Sequence, residues 1–260
     1  MGRPRPRFSA KGGESRRTFP MSVRSFPRPY IAAGTDHVGE RLAGTIWAKH
    51  ASAHSLYRAV HVFGTWLASL GISANALTYT SLGISAAAAW AAATGHFGWA
   101  ALLVLVSGAC DALDGVVARA TQTQSAFGAL LDSTVDRVAD ALPLLALVLY
   151  FAPTPWMVTI PLVALVGGFS ISYVRARAHA LGSVLPPLFM RRAERVLLLT
   201  FSLLLGAAPV DLDIDPHLWS LFGVALIALL NLVGLVAALR AAARDLDGRQ
   251  VSAVATKSER

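Results

Sequence analysis

The sequence predicts an all-α, polytopic membrane protein with six transmembrane helices and an N-terminal interfacial amphipathic helix ahead of them. Three observations carry that reading. Hydrophobic residues make up 55% of the 260-residue chain and charged residues 15%, with a mean hydropathy of +0.54; this composition argues against an ordinary soluble globular domain. Apolar segments recur six times between residues 74 and 239, most of them near the roughly 20 residues that a spanning helix needs. The basic residues of that region gather at alternate ends of the segments, the pattern expected of a multi-span chain.

The chain opens on a basic tail. Residues 1–30 carry eight Lys/Arg against Glu14 alone, and the remaining residues carry fifteen against fourteen. The net charge of +8 therefore belongs almost wholly to the tail. Its Arg, Pro, Gly and Ser content predicts disorder over residues 1–35, and it lacks the apolar centre of a secretory signal peptide. Met21 is an alternative start. Beside a membrane domain, such a tail suits anionic lipid headgroups better than nucleic acid.

Residues 36–66 repeat Leu42, Ile46, Ala53, Leu56, Val60 and Phe63 at helical spacing, with Glu40, Arg41, Lys49 and Arg58 between them. That pattern predicts a helix lying at the membrane interface; a soluble connector is the alternative. The membrane domain is expected over 72–242, with spans near 74–94, 97–118, 129–152, 155–174, 195–210 and 217–239. The fifth is short and is expected to extend back through the basic stretch before it. Residues 243–260 read as a polar tail.

With residue 74 cytoplasmic, Arg119, Arg137, Arg175, Arg177, Arg191, Arg192, Arg195 and Arg240 all fall at cytoplasmic ends. The opposite loops contain no Lys or Arg, and Trp99, Trp156 and Trp219 sit near them, where aromatic belts form. Both termini are then cytoplasmic, in the cell (inner) membrane. The single Cys110 rules out an intrachain disulfide and reads as a small core residue.

Chemistry concentrates in residues 111–137, DALDGVVARATQTQSAFGALLDSTVDR. Asp111 and Asp114 are three apart, and Asp132 and Asp136 four apart, so on helices each pair shares one face. Charged groups at membrane depth persist where they pair, bind ions or line a wet cavity. Two carboxylates from each of two facing helices make an oxygen cage suited to hard divalent cations, Mg2+ before Mn2+. Two such ions can clamp the attacking and leaving oxygens of a phosphoryl transfer, with one carboxylate accepting a proton. Gly115, Ala118 and Gly128 allow close approach. The bland alternative is that the carboxylates only pair with Arg119 and Arg137.

This stretch resembles the signature of the CDP-alcohol phosphotransferase family, Asp-x2-Asp-Gly-x2-Ala-Arg-x8-Gly-x3-Asp-x3-Asp. Asp111, Asp114, Gly115, Ala118, Arg119, Gly128, Asp132 and Asp136 occupy its fixed positions. The resemblance implies that Asp111, Asp114 and Asp132 are chiefly metal ligands and that Asp136 is a ligand and the catalytic base. It implies a CDP-linked lipid, CDP-diacylglycerol (CDP-DAG), as donor and CMP as leaving group. The nucleotide end would meet Asp114, Gly115, Ala118, Arg119 and Gly128. Asn75 and Thr78 match the family's Asn-x2-Thr, where they would contact the diphosphate or cap the helix. Ser125 matches a nucleotide-contacting position of inositol-phosphate-using members, and reads equally as a loop hydroxyl. Members are commonly homodimers.

For the acceptor, Arg175 and Arg177 end the fourth span while Arg192 and Arg195 begin the fifth. Arginine forks suit phosphate, so a phosphorylated alcohol is the expected acceptor. The stretches SYVRARAHALG and MRRAER are similar to those of phosphatidylinositol-phosphate and archaetidylinositol-phosphate synthases, which implies inositol phosphate. His179 stands where Glu is usual and SVLPPLFM replaces a glycine-rich spacer, which keeps glycerol-3-phosphate as an alternative. The arginines could instead serve only as topology signals. Asp140 continues the row after Asp136 and is expected behind the ligands or paired with Arg137. From another class, the carboxylates could line an ion or proton path.

Overall fold

Seven helices make up the computed structural model, which describes residues 51–183, 185–186, 190–208, 215 and 217–258 and contains no strand among them. They are α1 (Ala51–Ser69), α2 (Ala74–Ala93), α3 (Phe97–Ala120), α4 (Ala126–Tyr150), α5 (Pro155–Ala180), α6 (Arg192–Ala207) and α7 (His217–Ser258). The expected tail over 1–35 and the start of the expected interfacial helix lie outside the described residues.

All six apolar segments are helices. Three of them, Phe97–Ala120, Pro155–Ala180 and His217–Gly248, are long and apolar enough to cross a bilayer. A fourth results if Arg58–Ser69 and Ala74–Ala93, bent by 115° at their junction, count together. The six expected spans therefore reduce to three or four by length and composition, for two reasons. Helix α4 carries Asp132, Asp136, Arg137 and Asp140 on its length. Helix α6 has 16 residues, about 24 Å at 1.5 Å per residue against a hydrocarbon core of about 30 Å. It starts at Arg192, after Met190 in the left-handed region (φ 61). Helix α7 runs on to Ser258, through the stretch expected as a polar tail.

Local chemistry sets the helix ends. Ser73 caps α2 by accepting from the Ala76 amide, and Ser125 caps α4 by accepting from Gly128. Pro155 opens α5. Gly71 (φ 79) turns the chain between α1 and α2, a conformation glycine adopts without steric cost.

Small residues then bring the helices together. Helix α2 buries Ala88, Ala91 and Ala92. Its Ser85 hydroxyl donates to the Ala139 carbonyl of α4 (2.7 Å), and Ser107 of α3 donates to the Ser81 carbonyl of α2 (2.8 Å). Such close, hydrogen-bonded packing is what helices use where lipid removes the hydrophobic drive. The main core gathers Phe97, Leu147, Ile171, Leu203, Val224 and Ile227 from α3 to α7. A smaller one joins Leu67 of α1 and Leu77 of α2 to Leu113 and Val117 of α3. Outward faces expose Trp90, Trp99, Leu149, Trp156, Val166 and Phe222. So much exposed apolar surface suits an integral membrane protein.

One close crossing puts Gly206 of α6 where a Cβ would stand 2.7 Å from the Phe97 ring and 2.8 Å from Ser220 Cβ. Gly206→Ala is expected to lower the thermal midpoint of the detergent-solubilised protein, at a cost of about 1–3 kcal/mol of overpacking. Gly83→Ala on α2, where a Cβ meets nothing within 4 Å, should hold or raise it. Equal midpoints for the two variants would refute this account of the crossing.

Candidate metal centre

Helices α3 and α4 carry the aspartates, and α2 and α6 supply what touches them. Asp111 and Asp114 lie in the second half of α3, while Asp132, Asp136 and Asp140 follow one another at turn spacing along α4. One carboxylate oxygen from each of Asp111, Asp114 and Asp132 lies within 4.8 Å of the others. Asp114 is the most enclosed of the three, at 5% exposure. Thr78 of α2 donates its hydroxyl to Asp114 Oδ2 at 2.6 Å. Asp111 Oδ1 is buried with no hydrogen-bond partner. An acidic trio with a buried, unanswered oxygen fits a hard divalent cation.

Asp136 faces this trio from the next turn of α4, and Arg192 of α6 stands at its edge. The Arg192 guanidinium pairs through NH1 with Asp111 Oδ2 and with Asp136 Oδ1, the latter at 2.9 Å. Its Nε donates to Asp140 Oδ1 at 3.1 Å. Arg195, one turn on, donates through NH2 to Asp140 Oδ2 (2.7 Å) and through NH1 to the Met190 carbonyl (3.0 Å). Asp140 thus anchors two arginines. The expected partner Arg137 instead turns back to the Ser133 carbonyl of its own helix. The reason is position: Arg192 and Arg195 enter from a facing helix in fork geometry, whereas Arg137 shares the helix of Asp140 and leaves along its surface.

The remaining expected site residues divide. Arg119 folds back over Gly115, with NH1 3.2 Å from where a Gly115 Cβ would stand, so an alanine there would press on the guanidinium. Asn75 is not the cap of α2, a role taken by Ser73. Its Oδ1 instead comes within 3.8 Å of a Gly128 Cβ position, next to Ser125 Oγ at 3.0 Å. Asn75, Ser125 and Gly128 therefore converge at the heads of α2 and α4. Ala118 is half-buried on α3. Arg175 is half-buried and within electrostatic reach of Arg191, Glu194 and Arg195. Arg177 and His179 are exposed on the last turns of α5. Asp140 stands behind the ligands as the row from Asp132 predicts, but its partners are Arg192 and Arg195, and the Thr78–Asp114 bond, which joins residues 36 apart, has no signal in the spacing.

A sequence model described as CDP-alcohol phosphatidyltransferase matches residues 71–243, more than half of the chain. The chain belongs to the CDP-alcohol phosphatidyltransferase family. That membership in a family of transferases sets aside the aspartate-lined transport path. The phosphatidylinositol phosphate synthase of Corynebacterium glutamicum is 36% identical over 163 residues, which cover 58% of this chain and 72% of that protein. The archaetidylinositol phosphate synthase of Pyrococcus horikoshii is 36% identical over 148 residues, 56% of this chain and 77% of that protein. An uncharacterised Aquifex aeolicus protein is 41% identical over 115 residues, 44% of this chain, and the match spans 59% of its own length. Among solved structures, the phosphatidylinositol phosphate synthase of Mycobacterium tuberculosis with CDP-DAG bound superposes with a TM-score of 0.63 at 26% identity. That likeness covers 71% of this chain and 94% of that one. The same synthase in complex with manganese and citrate also scores 0.63, over 70% of this chain and 88% of its own.

Removing the Thr78 hydroxyl tests the geometry of the acidic trio directly. Thr78→Val is expected to weaken Mn2+ binding about ten- to a hundredfold, the usual cost of losing a bond that orients a ligand. Asp111→Asn and Asp132→Asn should weaken it further. Calorimetric titration of the purified protein with Mn2+ measures this, and unchanged affinity in all three variants would show that the trio binds no ion.

Proposed function

We propose that this protein catalyses metal-dependent transfer of the phosphatidyl group from CDP-DAG to a hydroxyl of inositol phosphate, releasing CMP. One observation carries the acceptor assignment: Arg192 and Arg195 reach the acidic cluster from α6 and are held there by Asp140. Their forks stand beside the carboxylates rather than at a remote surface, which suits a phosphate group on the attacking alcohol. The printed names of the two synthase relatives support the same acceptor, and the CDP-DAG complex of the M. tuberculosis synthase supports the donor.

In this reading Asp111, Asp114, Asp132 and Asp136 hold two divalent ions, Mg2+ in preference to Mn2+. Bound there, the ions neutralise charge on the donor's diphosphate and on the leaving CMP. Thr78 orients Asp114 through its hydroxyl. Asn75, Ser125 and Gly128 bind the diphosphate and nucleotide from the heads of α2 and α4, and Gly115, Ala118 and Arg119 bind the nucleotide along α3. Asp136 takes the proton of the attacking hydroxyl. The oxygen bonds to the phosphatidyl phosphorus as the bond from that phosphorus to the CMP oxygen breaks. Arg192 and Arg195 grip the acceptor's own phosphate, with Arg175 behind them.

The membrane placement follows the charge distribution: six membrane-embedded helices behind an interfacial helix, with both termini and the site on the cytoplasmic side of the cell membrane. Helix α6 is short because its cytoplasmic head bears the arginines. The enzyme is a homodimer in this reading.

Purified protein supplied with CDP-DAG and a panel of acceptors should release CMP with inositol phosphate, and far less with free inositol or glycerol-3-phosphate. Preference for glycerol-3-phosphate would reassign the acceptor. Excess EDTA should stop turnover, and full activity in EDTA would exclude the metal mechanism.

The arginines divide in their expected effects. Arg195→Ala should raise acceptor KM about ten- to a hundredfold, since a charge-assisted bond contributes about 1.5–3 kcal/mol. Arg195→Lys should recover only part of this, because a point charge lacks the fork. Arg192→Ala should raise acceptor KM and also lower kcat, because it leaves Asp111, Asp136 and Asp140 without their shared cation. Arg177→Ala, exposed on α5, should leave KM near the parental value. Steady-state kinetics with both substrates varied measures each outcome; equal KM in all of them would reduce the arginines to topology signals.

A further inference from the structure

Several helix hydroxyls in this protein bond back to their own helix, as Thr80 does to the Ala76 carbonyl, Thr134 to Leu130 and Ser202 to Leu198. Ser85 does not. Buried in the middle of α2, it donates across to the Ala139 carbonyl of α4 at 2.7 Å. In an α-helix that carbonyl accepts from the amide four residues on. Here the residue four on is Pro143, which lies inside α4 and has no amide hydrogen to give. Ala139 and Pro143 are both buried, and a buried carbonyl without a donor is costly. Ser85 is the donor that α4 lacks.

The break in the ladder falls against the acidic row. Asp140 follows Ala139 directly, Asp136 stands about one turn before it and Asp132 about two. Helices bend where their hydrogen-bond ladder is interrupted. Asp132 lies about 16 Å along α4 from Pro143, so a tilt of about 5° at the break would carry its carboxylate more than about 1 Å. A functional constellation tolerates about 0.5 Å. Two turns before Ser85, on the same buried face of α2, Thr78 donates to Asp114 of α3. One face of α2 thus grips both motif helices, α3 through Thr78 and α4 through Ser85.

We propose that Ser85 is a positioning residue for the acidic centre: its hydroxyl takes the place of the amide that Pro143 lacks and fixes the direction of the half of α4 that carries Asp132, Asp136 and Asp140. Ser85 donates to backbone, not to a carboxylate. Together with Thr78 it sets how far the aspartates of α4 stand from those of α3. The inference rests on the reading of Asp111, Asp114 and Asp132 as metal ligands.

Calorimetric titration of the purified protein with Mn2+ separates this role from helix packing. Ser85→Ala is expected to weaken Mn2+ binding about tenfold, the lower end of what losing a supporting bond costs a metal site. Replacing the proline restores the amide. In a Pro143→Ala background residue 143 can donate to the Ala139 carbonyl, so Ser85→Ala should cost less than about twofold further, the non-additivity of two groups serving one acceptor. If Ser85→Ala is not recovered folded, Ser85→Cys, whose thiol is a weak donor, replaces it with the same expectation. Parental Mn2+ affinity in Ser85→Ala, whatever its thermal midpoint, would reduce the bond to packing and overturn the proposal. An undiminished loss in the Pro143→Ala background would overturn it too, since the hydroxyl would then serve something other than the missing amide. Asp132→Asn is the control: parental Mn2+ affinity there would sink the metal reading itself, and this inference with it.

Discussion

Carboxylates packed among apolar helices must be answered by cations, and that requirement organises this molecule. Asp111, Asp114, Asp132, Asp136 and Asp140 sit on two helices of a bundle whose other faces are alanine, leucine and valine. Burying such charges without partners costs several kcal/mol each. Asp140 resolves its share by holding Arg192 and Arg195, and in doing so it ties the head of α6 to the middle of α4. Arg192 reaches further, to Asp111 and Asp136. The trio of Asp111, Asp114 and Asp132 retains a buried oxygen with no protein donor, an arrangement that fits a hard divalent cation.

Close packing makes this arrangement reachable. Helix α2 approaches α3 and α4 through alanines and serines, and that proximity lets Thr78 touch Asp114. On the far side, Gly167 and Gly168 thin α5 so that Asn231 and Arg195 can occupy the space beside it. Larger residues at these positions would stabilise nothing in lipid, where apolar side chains gain little by leaving their surroundings. The small residues are therefore the structural condition for the polar network. The acidic trio then lies on the α2–α3–α4 side and the arginines on the α5–α6–α7 side, with Asp136 between them.

The division also explains why a chain of this composition keeps a short, charged helix in a membrane bundle. Helix α6 bears Arg192, Glu194 and Arg195 in its first turn, and Glu194 accepts from the Arg191 amide to close the helix start. A longer apolar α6 would push these groups out of line with the aspartates of α4. Span length has yielded to the position of the site.

The sequence by itself determined the helices, their order and the acidic motif, because these depend on local periodicity and spacing. Six apolar segments became six helices. The turn spacing of Asp111 with Asp114, and of Asp132 with Asp136, set each pair on one face. What it could not decide was pairing across the bundle. Arg137 is adjacent to the motif in sequence, yet Arg192 and Arg195, more than fifty residues from Asp140, are the cations that meet it. Nor could it say which helices cross the bilayer unaided, since α4 and α6 depart from the length-and-hydropathy rule to accommodate the charges they carry. Asn231 is a lone polar letter in an apolar run, and only its contact with Ala164 gives it meaning. These relations depend on which faces meet in three dimensions, and tertiary packing alone chooses among partners that one-dimensional spacing leaves equivalent.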